Sequence, residues 1–233
     1  MRYFMRGTPW AGYEAMMMSV PRNVPRGGGR RRARLEYTRE DLDCKLCIEY
    51  RGKSRCAQKI CPYLVERLEA GTVSYTELVL EAFRGAMNRP FTERLKSLSS
   101  ELRGCQYTSE EHRGRMEDCL HALWPDGNVT NSQWLAACFL MTSSASIWRE
   151  VRVSRYPRKI EWEQISITPE TLQDYVLLQS ARSILDGKTR ISAYELSDRT
   201  LVDDLTLRVI MDAAVLARFG ITLLEIGGTL CDT

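Results

Sequence analysis

From about residue 60 onward the apolar positions of this chain recur at intervals of three and four, and each run is bracketed by capping residues. That pattern predicts a mainly α protein, a multi-helix bundle with at most a few short strands. Cys61-Pro62 opens the first helix, because Pro is preorganised for a first helical turn; YLVERLEA supplies the periodic apolar residues and Gly71 stops it. Ser74-x-x-Glu77 reads as a capping box ahead of Leu78, Val79, Ala82 and Phe83. Another helix follows Pro90, with Phe91, Leu95, Leu98 and Leu102 at helical spacing and Gly104 as its terminator. Thr108-x-x-Glu111 begins the next, which runs to Trp124 before Pro125-Asp126-Gly127 turns the chain. Thr130-x-x-Gln133 then caps a segment holding Trp134, Leu135, Cys138, Phe139, Leu140 and Met141. It is hydrophobic nearly all round, which predicts the buried centre of the bundle.

The stretch from Tyr156 to Ile167 breaks this rhythm. Ile160, Trp162, Ile165 and Ile167 alternate imperfectly, as in a short strand or an extended crossover, and mark the boundary to a second helical subdomain. There Thr168-Pro169 starts a helix through Leu172, Tyr175, Val176, Leu178, Ala181 and Leu185 that ends at Asp186-Gly187. A shorter helix begins at the capping box Ser192-x-x-Glu195, and a long one runs from about Asp203 to Phe219, stopped by Gly220. Ile221, Leu223 and Ile226 suggest a short terminal strand. No internal repeat recurs at a fixed period.

Within that subdomain ELSDRTLVDDLTLRVI, Glu195 to Ile210, has the spacing of a helix–turn–helix, with its tight turn near Leu201-Val202. The chemistry argues against base reading. The second helix starts with Asp203-Asp204 and carries Asp212, and its cations are Arg208 and Arg218. A plain helix hairpin packed on the body fits these residues better.

Charge changes the picture at the other end of the chain. Residues 1–60 hold 14 Lys/Arg against 6 Asp/Glu, a net of +8, whereas the remaining 173 residues hold 19 against 24, a net of −5. A basic head precedes a mildly acidic body. Much of the head's charge is Arg22, Arg26, Arg30, Arg31, Arg32 and Arg34, strung through PRNVPRGGGRRRAR, whose prolines and glycines disfavour regular structure. Such an arm can track phosphates, gaining affinity by counterion release, dock on an acidic protein face, or serve as a solvated linker. The Met16-Met17-Met18 run reads as core gap-filling, with an adaptable binding surface as the alternative.

Four cysteines, Cys44, Cys47, Cys56 and Cys61, follow the arm in the pattern C-x2-C-x8-C-x4-C. A thiolate quartet with a tight first pair suits one structural Zn²⁺, whose four-coordinate shell takes sulfur readily. With four protein ligands the ion keeps no open position for water or substrate, so the site folds a small knuckle and catalyses nothing. An iron–sulfur cluster is the first alternative, since Cys61-Pro62 echoes the Cys-Pro closing some cluster motifs, although the short C-x2-C-x2-C run is missing. Disulfides are the second and need an oxidising compartment. The start of the chain has an apolar stretch interrupted by Glu14 and too short for a signal-peptide core, and no run approaches a membrane span. The expectation is a cytoplasmic protein with reduced thiols and no membrane partner. The organisation reads as an N-terminal segment with a flexible arm over 1–36, the zinc knuckle and its helix over 37–72, a helical bundle over 73–157 and a C-terminal helical subdomain over 158–233. The 44% hydrophobic content is ample for a core.

Enzyme chemistry is mostly missing from the sequence. His112 and His121 lie on different faces of one predicted helix. With Cys105 and Cys119 they form C-x6-H-x6-C-x-H, which matches no familiar ligand spacing. Cys138, on the most apolar helix, reads as a small hydrophobe with a raised pKa. Gly27-Gly28-Gly29 has neither the preceding strand nor the following Lys-Ser/Thr of a phosphate loop, and Glu110-Glu111 and Asp203-Asp204 sit where helix N-termini favour acids. The expectation is no catalytic residue.

The opening GYExxMM, the stretch DCKLC…C…CPYLVERLEAGTVSYTE, and the later FLMTSSASIWREVR and ISAYELSDRTLVDDLTLRVIMDAAVLARFG together resemble a cysteine-cluster family carried on conjugative elements and prophages of Gram-positive gut bacteria. The likeness covers most of the chain, singles out the same four cysteines and implies no particular activity. It implies a setting, one where small proteins regulate the element or disarm host defences. Two expectations follow. One is a non-enzymatic, zinc-stabilised inhibitor of the anti-CRISPR type, whose host partner is a CRISPR effector nuclease with basic nucleic-acid channels. The other is a nucleic-acid-binding regulator using the arm and the helix–turn–helix-like pair.

Overall fold

The computed structural model describes residues 63–86, 88–153 and 169–227, with isolated positions nearer the N-terminus: 8, 9, 11–13, 16, 39, 42, 45 and 47. Contacts divide the chain into Met1–Glu36 and Tyr37–Thr233. In the first unit residues 11–13 are helical and Met16 is exposed, contrary to the core role read for that position.

The second unit is mainly helical, and no strand occurs among its described residues. Its helices are α1 Leu64–Glu69, α2 Tyr75–Ala82, α3 Arg89–Ser99, α4 Glu110–Leu123, α5 Ser132–Ser143, α6 Ala145–Val153, α7 Leu172–Asp186, α8 Ala193–Ser197, α9 Asp204–Phe219 and α10 Thr222–Gly227. Both capping boxes form. The Ser74 and Ser192 hydroxyls accept the backbone N–H of Glu77 and Glu195, whose carboxylates accept the cap N–H in return at 2.7 and 2.8 Å. At the far end of α7, Gly187 takes the left-handed conformation (φ 68°) that a β-carbon would penalise.

Three predicted starts shift along the chain. Ser109 caps α4 in place of Thr108, Asn131 caps α5 in place of Thr130, and Thr171 caps α7 in place of Thr168-Pro169. In each case the acting side chain reaches the N–H three residues ahead, a geometry that neighbouring Ser, Thr and Asn residues satisfy equally well on paper. Helix α3 ends at Ser99, short of Gly104, where the Ser99 hydroxyl donates back to the Leu95 carbonyl at 2.7 Å. The predicted terminal strand is instead α10: Leu223 and Leu224 are both buried, and a helical turn places them together against the core.

Helix α5 forms the centre, as its all-round hydrophobicity required: every residue from Leu135 to Thr142 is buried. It packs on α9, α7 and α4; α9 in turn packs on α2, α3 and α7, and α8 lies on α3. One core therefore runs through helices from both sides of residues 157–158. Complete burial of a Leu or Phe side chain is worth roughly 1.5–3 kcal/mol, so α5 and α9 supply much of the cohesion. The C-terminal carbonyls of α5 are satisfied from α4, where the Arg115 guanidinium donates to Thr142 O at 2.6 Å and Ser143 O at 3.3 Å. At the following junction Ser144 and Ser146 donate to the Asp174 carboxylate at 2.6 and 2.9 Å, tying α5 and α6 to the first turn of α7. No described helix is long and apolar enough to cross a membrane.

Candidate functional site

Of the four cysteines, Cys44, Cys56 and Cys61 lie outside the described residues, and Cys47 is half-buried with a free thiol. Arg22, Arg26, Arg30, Arg31, Arg32 and Arg34 also lie outside them, as does the Tyr156–Ile167 stretch. As a donor set the four thiols suit Zn²⁺ by chemistry.

The second cysteine and histidine set does not assemble. Among the described residues no group of three or more His, Cys, Asp and Glu side chains is placed to hold a metal ion. His121 is exposed. His112 is fully buried against Tyr107 and Phe139, its Nδ1 accepting the Thr108 N–H at 3.2 Å and its Nε2 lying 3.0 Å from the Phe139 carbonyl. These partners select the Nε2–H tautomer. Burial lowers its pKa to about 4, so the ring is a neutral bridge between α4 and α5. Cys138 meets Cys119 across the same helices, and that thiol together with burial raises its pKa well above the usual value. A protonated, enclosed thiol is a packing group, not a nucleophile.

A buried polar cluster that sequence reasoning missed joins α2, the segment before α4, and α9. Asp212 is fully buried; its Oδ1 accepts the Tyr75 hydroxyl at 2.7 Å and its Oδ2 accepts the Gln106 N–H at 3.0 Å. Cys105 Sγ lies 3.2 Å from the Tyr75 oxygen, and Arg208 donates to the Gln106 side chain. Burial raises the Asp212 pKa to about 7, against the pull of its two donors and Arg208. Desolvation, then the Asp212 charge, raises Tyr75 and Cys105 well above their usual values, so both keep their protons. The one available signal was an acid inside the apolar run VIMDAAVL. Asp212 therefore contributes nothing to the charge α9 presents outward.

The helix–turn–helix-like pair exists as α8 and α9, but α9 is buried along most of its length, from Thr206 to Leu216. A helix so enclosed has no free face to lay in a major groove. Arg208 donates to the Gln106 side chain, and Arg218, at the surface, donates to Glu81 at 2.8 Å. The turn before α9 is held by Arg94 of α3, a second residue the sequence reading missed. Its guanidinium donates to Leu196 O at 2.9 Å, Val202 O at 2.6 Å and Asp204 Oδ1 at 2.7 Å. Its signal was a cation three residues after Phe91, on the apolar face of an amphipathic helix.

The same end of the bundle carries exposed apolar side chains. Gln173 of α7 bonds Leu201 O and the Asp203 N–H, each at 3.4 Å, bringing the first turns of α7 and α9 together. Leu172 is 49% exposed, Leu201 38% and Leu205 59%, and Asp203 and Asp204 are exposed beside them. Glu170 and Glu195 are exposed on the flanking α7 entry and α8. No protein-family model, curated protein or solved structure matches the chain.

Proposed function

We propose that this chain is a non-enzymatic, zinc-stapled interaction protein of a mobile genetic element that inhibits a bacterial defence nuclease, in its sharpest form a CRISPR effector, by binding its surface in the cytoplasm. The observation that carries this reading is the end of the bundle where Leu172, Leu201 and Leu205 stand exposed among Asp203, Asp204, Glu170 and Glu195. Clustered exposed apolar side chains with a charged rim are the anatomy of a protein interface. Arg199, 3.9 Å from Asp204, and Arg149, 3.8 Å from Glu170, offset two of the four carboxylates; the remaining acidic excess fits a basic partner, and nucleases that hold nucleic acid in cationic channels present such a face. Occlusion of this kind requires no reacting group. The regulator alternative draws on the arm, while the enclosed α9 with acids at its exposed start supports it less.

The test mixes the purified full chain with a CRISPR effector nuclease and, separately, with duplex DNA, and follows both by size-exclusion chromatography. Co-elution with the nuclease is expected, and the double substitution Leu201→Arg, Leu205→Arg is expected to weaken it by more than about tenfold while leaving the helical circular dichroism unchanged. Complex formation with DNA alone, falling steeply with salt and lost on deletion of residues 22–34, would establish the regulator.

In this reading the thiolates of Cys44, Cys47, Cys56 and Cys61 hold one Zn²⁺, which crosslinks residues 37–72. Elemental analysis is expected to return about one zinc per chain, and none after Cys→Ser change at all four positions. Metal retained by the quadruple variant would sink the assignment, and iron in its place would mark a cluster.

A further inference from the structure

The end of α2, the start of α3, the second half of α7 and the inner sides of α8 and α9 line a half-open pocket of about 230 Å³. Phe83 and Phe91 form one wall, edge to face with ring centroids 5.3 Å apart. Ile184, Ile210 and Ala214 contribute further apolar lining, and none of the described lining side chains is charged. Two serines of α7 also reach it. The Ser183 hydroxyl is satisfied, donating to Gln179 O at 2.8 Å and accepting the Arg190 N–H at 3.1 Å. Ser180 is only 7% exposed as a residue and lines the pocket, and its hydroxyl is not among the buried side-chain oxygens left without a partner, so it is an accessible polar group on the pocket wall. A hydroxyl on an otherwise apolar wall offers a guest one hydrogen-bonding position.

Size and chemistry define what fits. A dry apolar cavity of about 150 Å³ already accommodates benzene, so this pocket has room for a ring with a substituent. Aromatic walls favour an aromatic guest through edge and face contacts. The described lining residues offer no counter-charge to a carboxylate or ammonium seated against the apolar wall, so a neutral guest is favoured. We propose that this pocket binds a small neutral aromatic molecule bearing one hydrogen-bonding group, phenol-like in chemistry, with its ring against Phe83 and Phe91 and its polar group on the Ser180 hydroxyl. This site stands apart from the exposed leucines and does not depend on the proposed inhibitor role.

The experiment titrates the ¹⁵N-labelled full chain with phenol, toluene and benzoate and follows its backbone amides. Phenol is expected to give saturable shifts centred on 83–91, 180–191 and 210–214, and benzoate none. Ser180→Ala is expected to weaken phenol about fivefold and leave toluene unchanged, as the loss of one hydrogen bond predicts. Ala214→Leu, which fills the pocket, is expected to abolish both. The proposal is overturned by no saturable shift up to about 10 mM phenol, a concentration far above the range of a built small-molecule site. Equal phenol affinity in the wild type and Ser180→Ala overturns it, as does phenol binding that survives Ala214→Leu.

Discussion

Between about pH 4 and pH 7, Asp212→Asn and His112→Gln are expected to tilt the stability profile in opposite directions. Asp212 has a folded pKa near 7 against an ordinary 3.8, so the folded chain keeps a proton that the unfolded chain has released. Its contribution is complete below about 3.8 and is lost as pH rises through about 7, a span worth roughly 4 kcal/mol. His112 behaves in the reverse sense. Its folded pKa near 4 lies below the ordinary 6.5, so its contribution is complete above about 6.5 and lost as pH falls through about 4, roughly 3 kcal/mol. The two slopes overlap and largely cancel in the native protein. Tyr75 and Cys105, which face Asp212, hold their protons throughout this window, so the Asp212 slope is not borrowed from them. Urea unfolding at half-unit pH steps checks this. Relative to wild type, stability of Asp212→Asn is expected to climb with pH, and that of His112→Gln to fall. Profiles parallel to wild type would refute the assignments.

Arg94→Met is expected to cost about 2–4 kcal/mol, chiefly from buried carbonyls left without a donor at about 1–3 kcal/mol each. The loss strands the Leu196 and Val202 carbonyls, which otherwise each receive a guanidinium N–H. The ion pair itself accounts for little, because the Asp204 side chain is 48% exposed and solvent screens it. Asp204→Asn is accordingly expected to cost less than about 1 kcal/mol. Denaturant midpoints at constant m-value separate the two, and amide exchange across 193–202 should accelerate in Arg94→Met alone. Similar losses in both variants would mean that the ion pair, not the carbonyl clamp, secures α8 to α3. Since this clamp fixes the turn from which Leu201 and Leu205 emerge, Arg94→Met also loosens the proposed docking end.

Much of the helical layout is legible along the chain because its causes are local. Capping boxes at Ser74 and Ser192, the left-handed Gly187 and the continuous apolar run of α5 act over one or two helical turns, and each was readable from spacing. The near misses have local causes too. Where Ser109 and Asn131 took the cap from Thr108 and Thr130, adjacent polar residues competed for the same N–H, and only the final backbone path chose between them. The cysteine quartet, its metal and the Arg arm rest on spacing and charge alone. Tertiary structure alone decided the rest. Tyr75 and Asp212 are 137 positions apart, Arg94 and Asp204 110 apart, and no periodicity of 3.6 residues connects such partners. Local physics thus determined which segments are helical and which faces are apolar. The packing of α2, α3, α7, α8 and α9 decided which charges are buried, which leucines stay exposed and where a pocket opens beside Ser180, because burial is set by neighbours distant in the chain.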